Sequence, residues 1–309
     1  MVTLFHPASP QTAHISAVFT LVCAIAAMVL LAVTVTLVYS VVRYRSRGGE
    51  SAEPQQIFGS QRLELLWTVV PILIMAGLFI VTVRAMVAID APQDPNQAAD
   101  LIVTGHQWWW DARYPNGAIA TEDLHIPVSR RLLVRVESSD VIHDFWAPDL
   151  ARKMDAVPGR LSFVWLEADR PGTYTGACSE FCGAQHAWMR FRVMAEPEPE
   201  FDAWLRRQAL PPAEASGDAA IGAILFQSKK CADCHEVTGL GSRTSEKGPN
   251  LAHLATRALL GGGIQTNTPA NLSLWLTDPQ QAKPGNRMPN TALSPAEVRA
   301  LLAYLENLR

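Results

Sequence analysis

Two stretches of this chain are free of charge for long enough to cross a membrane, and they set its architecture. Residues 15–42 form 28 consecutive positions without Asp, Glu, Lys or Arg, and residues 65–83 form a further 19. A hydrocarbon core about 30 Å thick needs roughly 20 apolar residues of helix. The expectation is a transmembrane hairpin within residues 1–90, with helices at about 15–42 and 64–88. A cleaved signal peptide is the competing reading of the first run. No basic segment precedes it, however, and no small-residue cleavage site follows a short apolar core. Arg43, Arg45, Arg47 and Arg62 fall in the connection, whereas residues 1–13 contain no Lys or Arg. The connection is therefore expected in the cytoplasm, with everything from about Asp90 onward outside it.

At 309 residues there is room for about two soluble domains beside this anchor. Residues 91–208 show short apolar segments at 132–136 and 161–166, separated by turn signals such as Pro115-Asn116-Gly117 and Pro171-Gly172, the pattern of an all-β sandwich. Residues 209–217 are rich in Pro and Ala and read as a linker. Residues 218–309 turn helical. The clearest sign is Ser294-Pro295-Ala296-Glu297, a capping box with proline in the first turn, followed by Val298, Leu301, Leu302, Leu305 and Leu308. Residues 90–217 hold 19 acidic against 12 basic side chains, within a net charge of -3. That balance favours a basic protein partner and argues against nucleic acid.

Four of the five cysteines form two tight pairs, each beside a histidine, which points to metals before disulfides. Cys23 lies in the first apolar run and is a small hydrophobe there. The segment Cys178-Ser179-Glu180-Phe181-Cys182-Gly183-Ala184-Gln185-His186-Ala187-Trp188-Met189, with His143 upstream, offers two thiols, two imidazoles and a thioether. Such soft ligands suit copper. One thiolate would describe a mononuclear site, whereas two can bridge a pair of copper ions with one histidine each. A structural zinc held by Cys178, Cys182, His186 and His143 is the alternative, but it leaves Met189 without a role. Cys231-Ala232-Asp233-Cys234-His235 has the form in which two thiols attach a haem and the histidine ligates its iron. A thioredoxin-like pair would want a βαβ setting that is missing here. Met288, the only methionine after position 194, is the expected sixth ligand. His253 is left without a role.

With Gly105-His106-Gln107-Trp108, Asp140-Val141-Ile142-His143, the segment 153–160 and Glu64-Leu65-Leu66-Trp67 in their places, residues 15–208 resemble subunit II of cytochrome c oxidase. Gly248-Pro249-Asn250-Leu251, the segment 275–279 and Lys283-Pro284-Gly285 resemble small cytochromes c fused to that subunit. The resemblance implies a multidomain membrane protein: a two-helix hairpin, a cupredoxin-like sandwich and a small all-α cytochrome c domain. It implies a dinuclear CuA centre held by His143, Cys178, Cys182, His186 and Met189, with the backbone carbonyl of Glu180. The Glu180 carboxylate would bind magnesium shared with subunit I. Trp108 would accept electrons and Glu64 would open a proton pathway. Covalent haem c would sit on Cys231 and Cys234 between His235 and Met288.

The implied partners are subunit I, subunit III, a soluble cytochrome c and membrane lipid. The implied setting is a bacterial plasma membrane with the soluble domains on the periplasmic side. Asp144 and Phe145 depart from the family pattern, where smaller or polar residues are more usual. A different reading is a membrane-tethered copper and haem carrier without an oxidase core, against which Glu64 and Glu180 argue. Nitrous-oxide reductase lacks the hairpin, and quinol oxidase subunit II lacks the copper ligands.

Overall fold

The computed structural model describes residues 7–45, 56, 59–237 and 247–309; Arg47 lies outside them. Helices α1 (Pro10–Arg43) and α2 (Gln61–Ile89) are both long and apolar enough to cross a membrane. Leu30, Leu31, Leu73 and Phe79 stand exposed along them, so neither is the core helix of a soluble domain. Helix α1 starts ahead of the charge-free run because Ser9 caps it. The Ser9 hydroxyl accepts the Thr12 N–H at 3.1 Å, and Pro10 occupies the first helical position, where its missing N–H costs nothing. Glu64 lies in the first turn of α2, where a carboxylate complements the helix dipole.

Two five-stranded sheets follow. In spatial order, one contains β3 (Ile119–Thr121), β2 (Trp109–Arg113), β1 (Leu101–His106), β5 (Leu132–Ser138) and β8 (Ser162–Leu166). The other contains β4 (Asp123–Pro127), β10 (Arg190–Glu196), β9 (Gly172–Cys178), β6 (His143–Trp146) and β7 (Met154–Ala156). The pairs β1 with β5 and β10 with β4 are parallel and the rest antiparallel. Their inward residues meet around Trp110, which makes edge-to-face contacts with His143, Phe145 and Phe191 at centroid separations of 5.8, 5.6 and 5.8 Å. Two other elements close the sandwich. The segment before α1 pairs Ala8 with Asp149 and Asp169 through its backbone, and helix α3 (Glu198–Gln208) buries Phe201 and stacks Trp204 on His125.

The C-terminal part is built from α4 (Asp218–Ser228), α5 (Pro269–Thr277), α6 (Pro279–Ala282) and α7 (Pro295–Asn307). The capping box at Ser294 is formed: its hydroxyl accepts the Glu297 N–H, and the Glu297 carboxylate accepts the Ser294 N–H. Against the all-helical expectation, Leu259–Leu260 and Gln265–Thr266 pair as a short antiparallel ribbon around a glycine turn. Residues 209–217 are partly pinned, since Asn307 donates to the carbonyls of Ala213 and Glu214, and His253 contacts the Leu210 carbonyl at 3.0 Å. His253 is thus a packing residue.

Trp110 is fully buried, and its indole N–H has no partner among the described residues. Trp110→Ala should destabilise the sandwich by about 3–5 kcal/mol. Trp110→Phe should cost less, because it also removes an unpaired buried donor. Chemical denaturation of the two variants checks this; equal losses would show that the donor is satisfied in solution.

Candidate copper and haem centres

The copper-type ligands converge because two neighbouring strands and one loop deliver them. His143 opens β6, Cys178 ends β9, and these strands pair with Phe145 opposite Cys178. The chain then loops through Cys182, His186 and Met189 and returns as β10. A backbone hydrogen bond from Cys178 N–H to the Met189 carbonyl, 3.0 Å long, closes that loop. Cys178 and Cys182 Sγ are 3.7 Å apart. Around them lie His143 Nδ1 at 3.8 Å from Cys178, His186 Nδ1 at 3.7 Å from Cys182, and Met189 Sδ at 3.7 Å from Cys182. The Glu180 carbonyl oxygen is 3.2 Å from Cys178 Sγ. The other four expected donors therefore surround the thiol pair, and both thiols are free.

The donor set fits copper, which Cys178, Cys182, His143, His186 and Met189 would hold. Cys178 is held well below the ordinary thiol range, chiefly by the hydrogen bond from Cys182, against the opposing effect of burial. The same contact pushes Cys182 up. A metal would displace that remaining proton, so binding is coupled to its release. His143 Nε2 lies 2.7 Å from Asp140 Oδ1, and accepting that N–H leaves Nδ1 as the free ligand nitrogen. Gly105 makes room for the ring, since a Cβ there would stand 2.9 Å from His143 Cδ2. Burial pushes the Asp144 carboxyl up, and the hydrogen bond with Asp155 adds to the rise.

Trp108 sits between β1 and β2. Its indole N–H donates to the Cys182 carbonyl at 3.0 Å, and the Gln107 amide donates to the same oxygen at 2.7 Å. Glu64 lies in α2, outside this cluster. No cluster of metal-type ligands among the described residues includes the Glu180 carboxylate. Sequence reasoning did not assign roles to Asp140 or Gln107. A carboxylate three residues before a ligating histidine was the available signal for the first; nothing local marked the second.

The second centre is a cavity of about 390 Å³ whose walls include Cys231, Cys234, His235 and Met288. His235 Nδ1 lies 2.8 Å from the Pro249 carbonyl, which orients Nε2 as the free nitrogen, and burial lowers the pKa, which favours the neutral imidazole. Leu251, Leu272, Leu276 and Leu301 supply an apolar lining. Two free thiols, an oriented neutral histidine, a thioether and an apolar cleft together fit a covalently attached haem.

These features define a membrane-anchored protein with a copper-binding β-sandwich and a c-type cytochrome domain. The profile described as cytochrome c oxidase subunit II, transmembrane domain, matches residues 2–84, the profile for its periplasmic domain matches 118–195, and that for cytochrome c matches 219–309. Cytochrome c oxidase subunit 2 of Alkalihalophilus pseudofirmus is 34% identical, over 99% of this chain and 91% of the relative. That of Bacillus subtilis is also 34% identical, over 88% and 82%. The crystal structure of the periplasmic domain of subunit II of cytochrome oxidase from Bradyrhizobium japonicum is 33% identical, covering 36% of this chain and 94% of that one with a TM-score of 0.34. The chain belongs to the cytochrome c oxidase subunit II family. It is a membrane protein with an electron-transfer role in the haem-copper oxidase complex, and its domains imply CuA copper and haem c.

Asp140→Ala should lower copper affinity about 10- to 100-fold, because His143 loses the partner that orients it. Competition against a copper chelator measures this; unchanged affinity would assign the orientation of His143 to packing alone. Met288→Ala should leave the haem attached through Cys231 and Cys234 while lowering its potential and opening the iron to added ligands. A potentiometric titration that matches the parent would identify a different sixth ligand.

Proposed function

We propose that this chain receives electrons from a soluble cytochrome c at its cytochrome domain, passes them to its copper domain, and delivers them to subunit I, where dioxygen reduction is coupled to proton translocation. The observation that carries the reading is the shared wall of the haem cavity. Gln107, Trp108 and Trp109 of the copper domain line the same cavity as Cys231, Cys234, His235 and Met288. From Trp108 a hydrogen bond leads directly to the Cys182 carbonyl. The chain itself supplies a short route between the two ligand sets. The bound haem and copper pair would supply the one-electron redox chemistry.

The residues beside the copper ligands suit a partner. Ile142, Phe181 and Trp188 adjoin His143, Cys182 and Met189 in sequence, and with Val141 they stand exposed. An apolar rim of this kind fits a protein interface, here with subunit I. Within that assembly the Glu180 carboxylate would hold magnesium at the shared boundary, Glu64 would open a proton pathway, and subunit III and lipid would complete the surroundings. Arg43, Arg45 and Arg62 support a two-span topology with a cytoplasmic connection and the soluble domains on the periplasmic side of a bacterial plasma membrane.

In the intact protein the Arg287 guanidinium stands 5.3 Å from the centre of the Trp108 ring, so the attached cytochrome domain occupies the surface where a soluble donor would dock. Deleting residues 218–309 should uncover Trp108. Reduction of copper by soluble cytochrome c should then become bimolecular and strongly dependent on salt. In the intact chain, transfer between the domains should be independent of protein concentration. Rapid-mixing kinetics tests the order, and copper reduced ahead of haem c in the intact protein would overturn it.

A further inference from the structure

A carboxylate is buried where the cytochrome domain meets the copper domain, and neither ligand set uses it. Glu122 lies between β3 and β4, is 6% exposed, and has a φ of 67°. Its carboxylate accepts the backbone N–H of Gly262 and, at 3.1 Å, that of Gly263. In return, the Arg190 N–H donates to the Gly262 carbonyl at 2.9 Å. Gly261, Gly262 and Gly263 have φ values of 67°, 81° and 76°, a conformation open to successive glycines and strained for other residues. Successive N–H groups turned to one side make a concave receptor for an anion. A Cβ on Gly262 would stand 2.7 Å from both Lys283 Nζ and the Trp188 carbonyl.

The charges around Glu122 favour one arrangement of the domains. Buried Lys283 and partly buried Arg257 bring positive charge from the cytochrome side, whereas Asp123 and Arg192 face it from the copper side. Lys283 and Arg257 flank the same cavity that Trp108 and Met288 line. A buried charge cluster adds little net stability against an apolar contact, but removing one member leaves the others uncompensated. Such a cluster therefore penalises every register in which its members fail to meet.

We propose that Glu122 and the turn formed by Gly261, Gly262 and Gly263 are an interdomain clamp, with Glu122 the positioning residue that keeps the haem cavity against Trp108. The clamp stands on this geometry; its purpose rests on the electron route proposed above. Burial raises the Glu122 carboxyl to about 6, against the opposing pull of Arg257, the Gly262 hydrogen bond and Lys283, while Asp123 adds to the rise. The clamped form therefore binds this proton more tightly than an open one. By linkage, the clamp tightens as pH falls through 6 toward the ordinary carboxyl range and relaxes as pH rises above it. Lys283, pushed down to about 8 by burial, has the opposite influence at more alkaline pH.

Hydrogen exchange in the full chain within its assembled oxidase tests the clamp. Glu122→Ala removes the acceptor of two N–H groups, so exchange in residues 258–266 and 106–112 should rise at least about tenfold. Exchange in residues 298–305 and both cofactor spectra should stay as in the parent. Gly262→Ala, on the other side of the contact, should produce the same opening. Glu122→Gln keeps an acceptor oxygen and carries no charge, so at pH 7 it should protect these segments at least as well as the parent. It should lose the variation between pH 5 and 7 that the parent shows after correction for intrinsic exchange. Parental protection of residues 258–266 in Glu122→Ala would overturn the clamp. Opening of both segments with an unchanged rate of transfer between the domains would instead uphold the clamp and overturn the electron route.

Discussion

The hydrogen bond from Cys178 N–H to the Met189 carbonyl is the closure on which the copper site depends. It continues the pairing of β9 with β10 to the base of the loop, so everything between those residues must fold back over the end of the sheet. Cys182 and His186 are thereby held above Cys178, and His143 arrives from the adjacent strand with its ring packed against Trp110. Donors carried on strands and a closed loop would be held in place whatever the charge of a bound copper centre. That suits a centre whose task is to gain and lose electrons with little rearrangement.

The polar groups around this site act by orientation. Asp140 takes the outer N–H of His143 and also accepts the backbone N–H groups of Gln107 and Val141. One carboxylate thus ties His143 to the turn that carries Trp108. Trp108 in turn reaches the Cys182 carbonyl, so the Trp108 ring and the thiol pair belong to one connected framework. The cytochrome domain meets that framework through Arg287, Gln185 and the glycine turn. Charged groups and backbone donors take part in that contact, and such groups select a register at modest net stability.

Much of the site was legible because its determinants are close in sequence. The loop of Cys178, Cys182, His186 and Met189, the Cys231-Ala232-Asp233-Cys234-His235 run and the capping box at Ser294 all fall within spans where covalent spacing limits the geometry. The lengths of the two apolar runs likewise state what the helices can cross. Other features had no local sign. Nothing in the sequence around Ala8 and Ser9 names a partner, yet they bond to Asp149, Leu150 and Asp169 of the sandwich. Residues 259–266 read as part of a helical domain and form a ribbon, because the three glycines reverse the chain there.

By itself, then, the sequence determined the anchor, the sandwich and the helical domain, and marked the candidate ligands, through composition, periodicity and short spacings. Only the tertiary structure decided which nitrogen of His143 faces the thiols, what covers Trp108, and that Glu122 meets Gly262 across 140 residues. The physical reason is range. Periodicity and ligand spacing act within a few residues, whereas a hydrogen bond between domains exists only after each domain has folded and presented its half.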